Sequence, residues 1–251
     1  MSLKDKNVLV TGGSRGLGLG VVEALAERDA KVTVVARGLD GLSTLRARLG
    51  IDTIPADVTD EEAAHRIVSE VRPDVLILSA GAEPRMGRLD QISWADFSAT
   101  WETDVRAGLQ WMRAALQLPL KSGSRVLIVS SGAAVGGSPL SGGYAGAKRM
   151  LWFMAKYANT VVKQQGLGIR FQVIVPQQMF AGTGVGEAGA AAYASAHGLE
   201  PGVFLARNFP AMSARQFGEQ VAAILEGASA EGLALGIRGD SGVSVLEGDA
   251  A

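Results

Sequence analysis

The chain has 251 residues, 47% of them hydrophobic and 20% charged, which suits one large α/β domain with a substantial core. It carries 24 Lys and Arg against 25 Asp and Glu, and this balance argues against binding to nucleic acid or to anionic membranes. It has no Cys and two His, which excludes a disulfide scaffold, a thiolate metal site and a Cys nucleophile, and we predict no metal site. The sequence shows no signal-peptide pattern and no stretch of about 18 apolar residues, so we expect a soluble cytoplasmic protein.

Short β-branched segments alternate along the chain with longer segments of helical periodicity. The predicted strands are Asn7–Thr11, Lys31–Ala36, Asp52–Ala56, Asp74–Ser79, Arg125–Ser130, Ile169–Val175 and Leu233–Ile237. The predicted helices are Gly16–Arg28, Leu39–Leu49, Asp60–Val71, 94–118, Gly142–Gln165 and Met212–Glu226. Thr59 and Ser93 are predicted to cap the third and fourth helices.

Strands that are apolar throughout are buried on both faces, and their alternation with helices predicts a parallel sheet with helices on both sides. The fold class is therefore α/β, a doubly wound, Rossmann-type three-layer sandwich with a central parallel sheet of about seven strands. Such sheets bind ligands at the carboxyl ends of their strands. We predict a single domain over residues 1–251. The segment Ala181–Gly202 is rich in Gly and Ala, and it predicts a mobile substrate lid at about 177–210.

The first predicted strand is followed by a glycine-rich turn, TGGSRGLG at residues 11–18. Its glycines permit a tight turn and close approach of the backbone to an anion, and the next helix directs its free N–H groups at that anion. A plain β–α turn is the alternative, but the position after the first strand favours nucleotide binding. The predicted cofactor-binding residues of the turn are Gly12, Ser14, Arg15, Gly16, Leu17 and Gly18.

The end of the second strand indicates which nucleotide is bound. A carboxylate at this position would bind a ribose 2′-hydroxyl, but the strand is followed by Arg37 instead. A methyltransferase, the other class with a glycine-rich first turn, typically needs such an acid, so its absence argues against that class. Arg15 in the turn is a second cation nearby, and guanidinium groups pair bidentately with phosphate. Both could instead be solvated surface residues. We favour NADP, or NADPH, with NAD less favoured.

Tyr144 and Lys148 are four residues apart on a predicted helix and so lie on one face. A neighbouring ammonium favours the ionised phenol, whose ordinary pKa of about 10 is too high for a base at neutral pH. Ser131, just past the fifth strand, could place its hydroxyl beside Tyr144. Each of the three alone is weak evidence, whereas the combination with the phosphate turn is much more specific.

With these motifs the chain resembles the short-chain dehydrogenase/reductase family over nearly its whole length. The matching elements are TGGSRGLG at 11–18, Asp57 and Val58 after strand three, Ala80 and Gly81 after strand four, Ser131, and Tyr144 with Lys148. The resemblance implies that Tyr144 is the general acid/base and that Ser131 orients the carbonyl. It implies that Lys148 binds the nicotinamide ribose and lowers the pKa of Tyr144, and that Asp57 and Val58 flank the adenine.

The resemblance also implies a homodimer or homotetramer, packed through the helices at about 94–118 and 142–165. The chain departs from the family pattern at several positions. Ser79 replaces the Asn of the family's usual Asn-Ala-Gly turn. Asp104 takes the place of the helix Asn that helps to hold a relay water in the family, and Gln177 replaces the Gly that usually follows the residue at Pro176. The nicotinamide-contacting Thr is displaced, and Thr183 is the nearest candidate. The predicted cofactor site is completed by Ser79, Ala80, Gly81, Tyr144, Lys148, Pro176 and Thr183. Asp104 is added to the catalytic set of Ser131, Tyr144 and Lys148.

Two functions remain open from the sequence. The first is an NADP-dependent oxidoreductase that interconverts a ketone or aldehyde and an alcohol, with a small-molecule substrate and no nucleic-acid or membrane partner. The alternative is a non-catalytic NADP-binding sensor or structural protein on the same fold, which the departures at Asp104, Ser79 and Gln177 would suit. The substrate pocket is predicted to be mainly apolar. Its candidate wall residues are Met86, Ala133, Met179, Phe180, Tyr193 and Phe204.

Overall fold

A computed structural model describes residues 2–209, 212–227 and 231–246 of the chain. The strands in these ranges are β1 (Asn7–Thr11), β2 (Lys31–Ala36), β3 (Asp52–Pro55), β4 (Val75–Leu78), β5 (Arg125–Val129), β6 (Arg170–Pro176), β7 (Ala234–Arg238) and β8 (Gly242–Val245). The helices are α1 (Gly16–Ala26), α2 (Leu39–Leu49), α3 (Glu61–Val71), α4 (Trp94–Thr100), α5 (Arg106–Gln117), α6 (Ala133–Gly136), α7 (Tyr144–Gln165), α8 (Gly184–Ala196), α9 (Pro201–Asn208) and α10 (Ala214–Glu226).

The strands form one sheet in the order β3-β2-β1-β4-β5-β6-β7-β8. Each neighbouring pair from β3 to β7 is parallel, and β8 pairs antiparallel with β7. The predicted α/β class and doubly wound sheet are confirmed. The sequence analysis missed β8, because a four-residue strand with no buried residue lacks the apolar signal of the others. Strand order reverses between β1 and β4, and this places a ligand crevice at their carboxyl ends.

Apolar side chains cover both faces of the sheet, as expected for continuous hydrophobic strands. One core lies between the sheet and α3, α5 and α7, and it includes the fully buried Trp111 and Phe171. The other lies against α1, α2 and α10, around Leu25 and Phe217. The indole of Trp111 donates a 2.9 Å hydrogen bond to the carbonyl oxygen of Val58, so α5 also fixes the loop that follows β3.

Two predicted helix features differ in the structure. Asp60, and not Thr59, caps α3, because its carboxylate accepts hydrogen bonds from the backbone N–H groups of Glu62 and Ala63. Thr59 instead donates from its hydroxyl and its backbone to Asp57. Ser93 does cap α4. The predicted continuous helix 94–118 is interrupted, however, by a π-helical turn at Trp101–Val105 that joins α4 to α5. Single π turns of this kind occur frequently at functional sites.

The Gly- and Ala-rich segment Ala181–Gly202 is mostly helical and contains all of α8. Thr183 caps this helix by accepting a hydrogen bond from the backbone N–H of Gly186. Alanine has the highest helix propensity, which explains why a segment low in large apolar residues still folds into a helix. The predicted lid segment therefore has regular structure, and its role as a lid and its mobility stay predictions. None of the helices in the described ranges is long and apolar enough to cross a membrane.

Candidate active site

The carboxyl ends of the strands open into one cleft of about 940 Å³. It is lined by every predicted site residue except Asp104: Gly12, Ser14, Arg15, Gly16, Leu17, Gly18, Arg37, Asp57, Val58, Ser79, Ala80, Gly81, Ser131, Tyr144, Lys148, Pro176 and Thr183. Asp104 lies just behind the wall, in contact with Lys148. Residues that are up to 171 positions apart in the sequence (183 − 12) thus meet in one place because parallel strands end at a common edge.

The glycine-rich turn packs tightly against the turn after β4. Gly12 has a φ of +72°, and a Cβ there would lie only 2.5 Å from the Cα of Ala80. The hydroxyl of Thr11 accepts hydrogen bonds from the backbone N–H groups of Ser79 at 3.3 Å and of Ala80 at 3.4 Å. The first N–H groups of α1 have no partner within the helix and face the cleft, and its first turn carries no acidic side chain. This arrangement is suited to binding an anion.

Arg15 and Arg37 lie at the same end of the cleft, and both side chains are exposed. Within the described ranges neither forms an ion pair. Asp57 lies close enough for the positive charge of Arg37 to affect it. The pKa of Asp57 is lowered mainly by the hydrogen bonds from Thr59 and to a smaller extent by Arg37. Two guanidinium groups that form no ion pair with the rest of the described chain therefore accompany the anion-binding turn.

The opposite end of the cleft holds Ser131, Tyr144 and Lys148. Ser131 follows β5, and its hydroxyl accepts a 3.2 Å hydrogen bond from the backbone N–H of Ala133. Tyr144 begins α7, and Lys148 follows one turn later, with its ammonium 5.8 Å from the centre of the phenol ring. Both side chains are buried, at 7% and 6% exposed. The ammonium also donates a 3.3 Å hydrogen bond to the carbonyl oxygen of Val129.

The ionisation of Tyr144 depends on burial as well as on its charged and hydrogen-bonding neighbours. Burial, the largest effect, raises its pKa, whereas Lys148 and the hydrogen bond with Ser131 lower it and Asp104 raises it. The net result is a pKa above the ordinary value of a tyrosine. Lys148 thus acts in the predicted direction, while desolvation of the phenolate outweighs this one ammonium among the protein's own groups.

Asp104 forms a buried ion pair with Lys148. One carboxylate oxygen, Oδ2, lies 3.0 Å from the lysine Nζ, and the two side chains are 0% and 8% exposed. The other oxygen accepts a 2.7 Å hydrogen bond from the backbone N–H of Ala82. Burial alone would lower the pKa of Lys148, but the attraction of Asp104 and of Tyr144 together raises it. The lysine is therefore held in its charged form.

The segment from the end of β6 to the start of α8 carries Pro176, Gln177 and Thr183. Besides capping α8, the hydroxyl of Thr183 donates a 2.8 Å hydrogen bond to the carbonyl oxygen of Phe180. Gln177 continues the edge of the sheet, since its backbone N–H donates to the carbonyl oxygen of Ile237 at 2.9 Å. All three line the cleft.

The six predicted wall residues of the substrate pocket line the cleft, and several further residues do so that the sequence analysis did not single out. Among the added residues are Glu83, Val135, Ser138, Phe209 and Arg238. The hydroxyls of Ser138 and Tyr193 are hydrogen-bonded, which links α8 to the loop after α6. Tyr193 also stacks on Phe204, with ring centres 5.8 Å apart. Arg238 could have been found from its place at the carboxyl end of β7, whereas Ser138 carries no sequence signal beyond that of a turn residue.

A comparison with known families identifies the chain. The model of the family described as short chain dehydrogenase matches residues 6–193, which include every site residue named above from Gly12 to Thr183. The chain belongs to the short-chain dehydrogenase/reductase family. As a member of this family, it is an oxidoreductase by class.

Individual short-chain dehydrogenases and reductases resemble the chain at moderate identity. It is 33% identical over 152 residues to the short chain dehydrogenase/reductase AacuD of Aspergillus aculeatus, a match that covers 57% of this chain and 54% of that protein. It is 30% identical to the NADPH-dependent pterin aldehyde reductase of Arabidopsis thaliana, over 68% of this chain and 74% of that protein. A crystal structure of a short chain dehydrogenase from Burkholderia cenocepacia in complex with NADP superimposes with a TM-score of 0.74 at 26% identity, covering 95% of this chain and 98% of that one.

Proposed function

We propose that the protein is an NADP-dependent oxidoreductase that interconverts a ketone or aldehyde with the corresponding alcohol. One observation carries this proposal. Tyr144, Lys148 and Ser131 line the same cleft as an anion-binding glycine turn, so a proton donor lies within one site with a place for a dinucleotide. The relatives and the NADP-bound neighbour named above support the same conclusion.

The residues present fit a dinucleotide. The close approach of Gly12 to Ala80 leaves no room for a side chain, so backbone and not side chain faces the anion site. The N–H groups that open α1 would bind the pyrophosphate. Arg15 and Arg37 would bind a 2′-phosphate through charge-assisted hydrogen bonds. The Thr183 hydroxyl already donates to Phe180 and accepts from Gly186, which leaves one lone pair able to accept from a carboxamide. A bound nicotinamide supplies or accepts the hydride.

The protein's own side chains supply the proton. The hydroxyls of Ser131 and Tyr144 would both donate hydrogen bonds to the carbonyl oxygen of the substrate and so stabilise negative charge that develops there. In reduction the phenolic O–H bond of Tyr144 breaks, the proton forms the O–H bond of the alcohol, and the phenolate is left beside the Lys148 ammonium. Oxidation uses the same groups in reverse, with the phenolate accepting the proton.

The substrate is proposed to be a mainly apolar carbonyl compound. Its part of the cleft is lined by Met86, Met179, Phe180, Tyr193 and Phe204. Pockets of this composition bury apolar ligands and use a few polar groups to orient them. We propose that α8 and α9 form the lid over this region. The single domain, the homodimer or homotetramer and the cytoplasmic location stay predictions.

The proposal is tested by measuring NADPH oxidation with a panel of carbonyl compounds. The panel should contain aromatic aldehydes, cyclic ketones and 3-oxoacyl thioesters, with NADH run in parallel. Consumption of NADPH that depends on one of these compounds supports the proposal.

The alternative, a non-catalytic NADP-binding protein, is favoured by one feature, the neutralisation of Lys148 by Asp104. Tight NADPH binding with no consumption across the panel would support it. The retention of Ser131 and Tyr144 argues against it, because cofactor binding needs neither hydroxyl.

A further inference from the structure

The buried Asp104–Lys148 pair places a full negative charge next to the proton-transfer site. Asp104 comes from the π-helical turn, and its carboxylate passes close to the backbone of Gly81, where a Cβ would lie 2.9 Å from Oδ2. Both oxygens of the carboxylate have a partner, because Oδ2 pairs with the Lys148 ammonium and Oδ1 accepts a hydrogen bond from the backbone N–H of Ala82. The charge is therefore part of the built site.

Charge counting shows what this carboxylate does to the phenol. With Tyr144 protonated, the group of Tyr144, Lys148 and Asp104 is neutral, and loss of the phenolic proton would leave a net charge of −1 in a buried place. With a neutral residue at position 104, the same proton loss would take the group from +1 to zero. Burial disfavours net charge, and nearby negative charge disfavours an anion, so Asp104 opposes ionisation of Tyr144.

Other groups face the phenol as well. Ser131 contacts it from the end of β5, and Lys148 lies one turn along α7. Further titratable and charged residues line the same cleft: Arg15, Arg37, Asp57, Glu83, Tyr193 and Arg238. The pKa of Tyr144 responds to Lys148 and Asp104 as its charged neighbours, and of these two only Asp104 raises it.

We propose that Asp104 is a positioning residue that, by pairing with Lys148, keeps Tyr144 in its proton-donating form to higher pH than Lys148 alone would allow. The inference rests on the proposed function and deepens it, because it assigns the site a proton-loaded resting state suited to carbonyl reduction. An enzyme leaves the reaction equilibrium unchanged, so the effect lies in the pH at which the donor form is lost.

The direct test is a pH titration of the Tyr144 phenol by its near-ultraviolet absorbance, with and without NADPH. The Tyr144→Phe variant under the same conditions is subtracted, which removes Tyr157 and Tyr193. In the wild-type protein we expect Tyr144 to ionise above the ordinary value of about 10. In Asp104→Asn we expect the ionisation of Tyr144 to move to lower pH than in wild type, because a neighbouring negative charge has been removed.

A second variant of opposite sign separates this effect from loss of structure. Ser131→Ala removes a hydrogen bond that favours the phenolate, so its Tyr144 should ionise at higher pH than in wild type. Thermal unfolding is recorded for both variants, because Asn at 104 would place a donor NH2 group where a carboxylate oxygen now meets either Lys148 or the backbone N–H of Ala82. Asp104→Ser serves as a further neutral replacement, and it should shift the phenol in the same direction as Asn.

The inference is overturned if wild-type Tyr144 ionises below the ordinary tyrosine value, or if neither neutral variant lowers it in folded protein. These outcomes are read without turnover, so they differ from failure of the proposed function, which would show as no carbonyl-dependent consumption of NADPH by the wild-type protein. Once a substrate is known, the alkaline limb of kcat/KM for reduction should move down in Asp104→Asn by the same shift as the phenol.

Discussion

The hydroxyl of Ser130 donates a 2.9 Å hydrogen bond to the backbone carbonyl of Lys148, and both groups are buried. This contact ties the end of β5 to the first turns of α7. A second hydrogen bond joins the same two elements, because the Lys148 ammonium donates to the backbone carbonyl of Val129. Ser131 comes next after Ser130, so the residue that would orient a carbonyl and the helix that carries Tyr144 are positioned by one strand end. The spacing of Ser131, Tyr144 and Lys148 is thus fixed by the packing of β5 against α7.

Replacing Tyr144 by Phe should abolish most turnover while sparing cofactor binding. The ring keeps its packing, and only the proton donor is lost, so we expect kcat to fall by about 10²- to 10⁴-fold, the usual contribution of general acid catalysis. The Kd for NADPH, measured by fluorescence titration, should stay within about twofold of wild type, which corresponds to a change of about 0.4 kcal/mol in binding free energy.

The matched control for that variant is Tyr157→Phe. Tyr157 is on the same helix but is 57% exposed and outside the cleft. It should leave both kcat and NADPH affinity unchanged. Near-normal turnover in Tyr144→Phe would show that the phenol does not transfer the proton.

Replacing Arg15 or Arg37 by Gln should weaken NADPH binding much more than NADH binding. Each guanidinium is proposed to make a charge-assisted hydrogen bond to the 2′-phosphate, which is worth about 1.5–3 kcal/mol, or about 10- to 100-fold in Kd. NADH lacks that phosphate, so its Kd should hardly change. Calorimetry with both cofactors gives the comparison.

Arg46→Gln is the control for these two variants, since Arg46 is exposed on α2 and does not line the cleft. It should bind both cofactors as wild type does. Equal losses for NADPH and NADH in the Arg15 and Arg37 variants would mean that neither arginine reads the 2′-phosphate.

Replacing Gly12 by Ala should disrupt the phosphate turn. The new Cβ would lie 2.5 Å from the Cα of Ala80 in a backbone conformation with positive φ, so the turns after β1 and β4 must separate. We expect a loss of about 1–3 kcal/mol in the free energy of unfolding, typical of overpacking, together with weaker NADPH binding. Denaturant unfolding and fluorescence titration measure the two effects.

Gly38→Ala is the matched change in the neighbouring turn. Gly38 has a φ of −79°, and a Cβ there meets nothing within 4 Å. Gly38 lines the cleft beside Arg37 and caps α2, but the added methyl group meets no atom, so stability should fall less than in Gly12→Ala and NADPH binding should stay near that of wild type. If Gly12→Ala behaved like Gly38→Ala, the tight packing of the phosphate turn would be irrelevant to cofactor binding.

Much of the fold could be predicted from the sequence because its central strands consist almost entirely of apolar residues. VLIL at 75–78 and RVLIV at 125–129 are buried over nearly their whole length, and their shortness and β-branched residues favour strands over helices. The cleft followed from the same logic, since residues just after parallel strands meet at one edge. Arg37, Ser79 and Ser131 could be placed together in this way with no knowledge of tertiary contacts.

The features that escaped prediction depend on contacts between distant segments. The π-helical turn has no distinctive sequence, and what it achieves, bringing Asp104 to Lys148, involves residues 44 positions apart (148 − 104). The net pKa of Tyr144 likewise depends on burial by surrounding elements, which spacing on one helix cannot report. The spacing of Tyr144 and Lys148 on one helix predicts that Lys148 lowers the pKa of Tyr144, whereas the net direction of the pKa shift depends on burial by other elements.

The stability of the protein should fall as the pH rises above about 10, where free tyrosine and lysine lose their protons. The pKa values of Tyr144 and Lys148 are both raised in the folded state, so above that pH the unfolded chain releases protons that the folded chain retains. The stability present below the unfolded values is then lost as the pH rises toward the folded ones. Urea unfolding at about pH 8 and about pH 11, values that bracket these ionisations, measures the loss. Tyr144→Phe lacks one of the two groups and should show a smaller decline, whereas Tyr157→Phe should decline as wild type does. An identical decline in wild type and Tyr144→Phe would mean that the buried phenol ionises as it does in the unfolded chain.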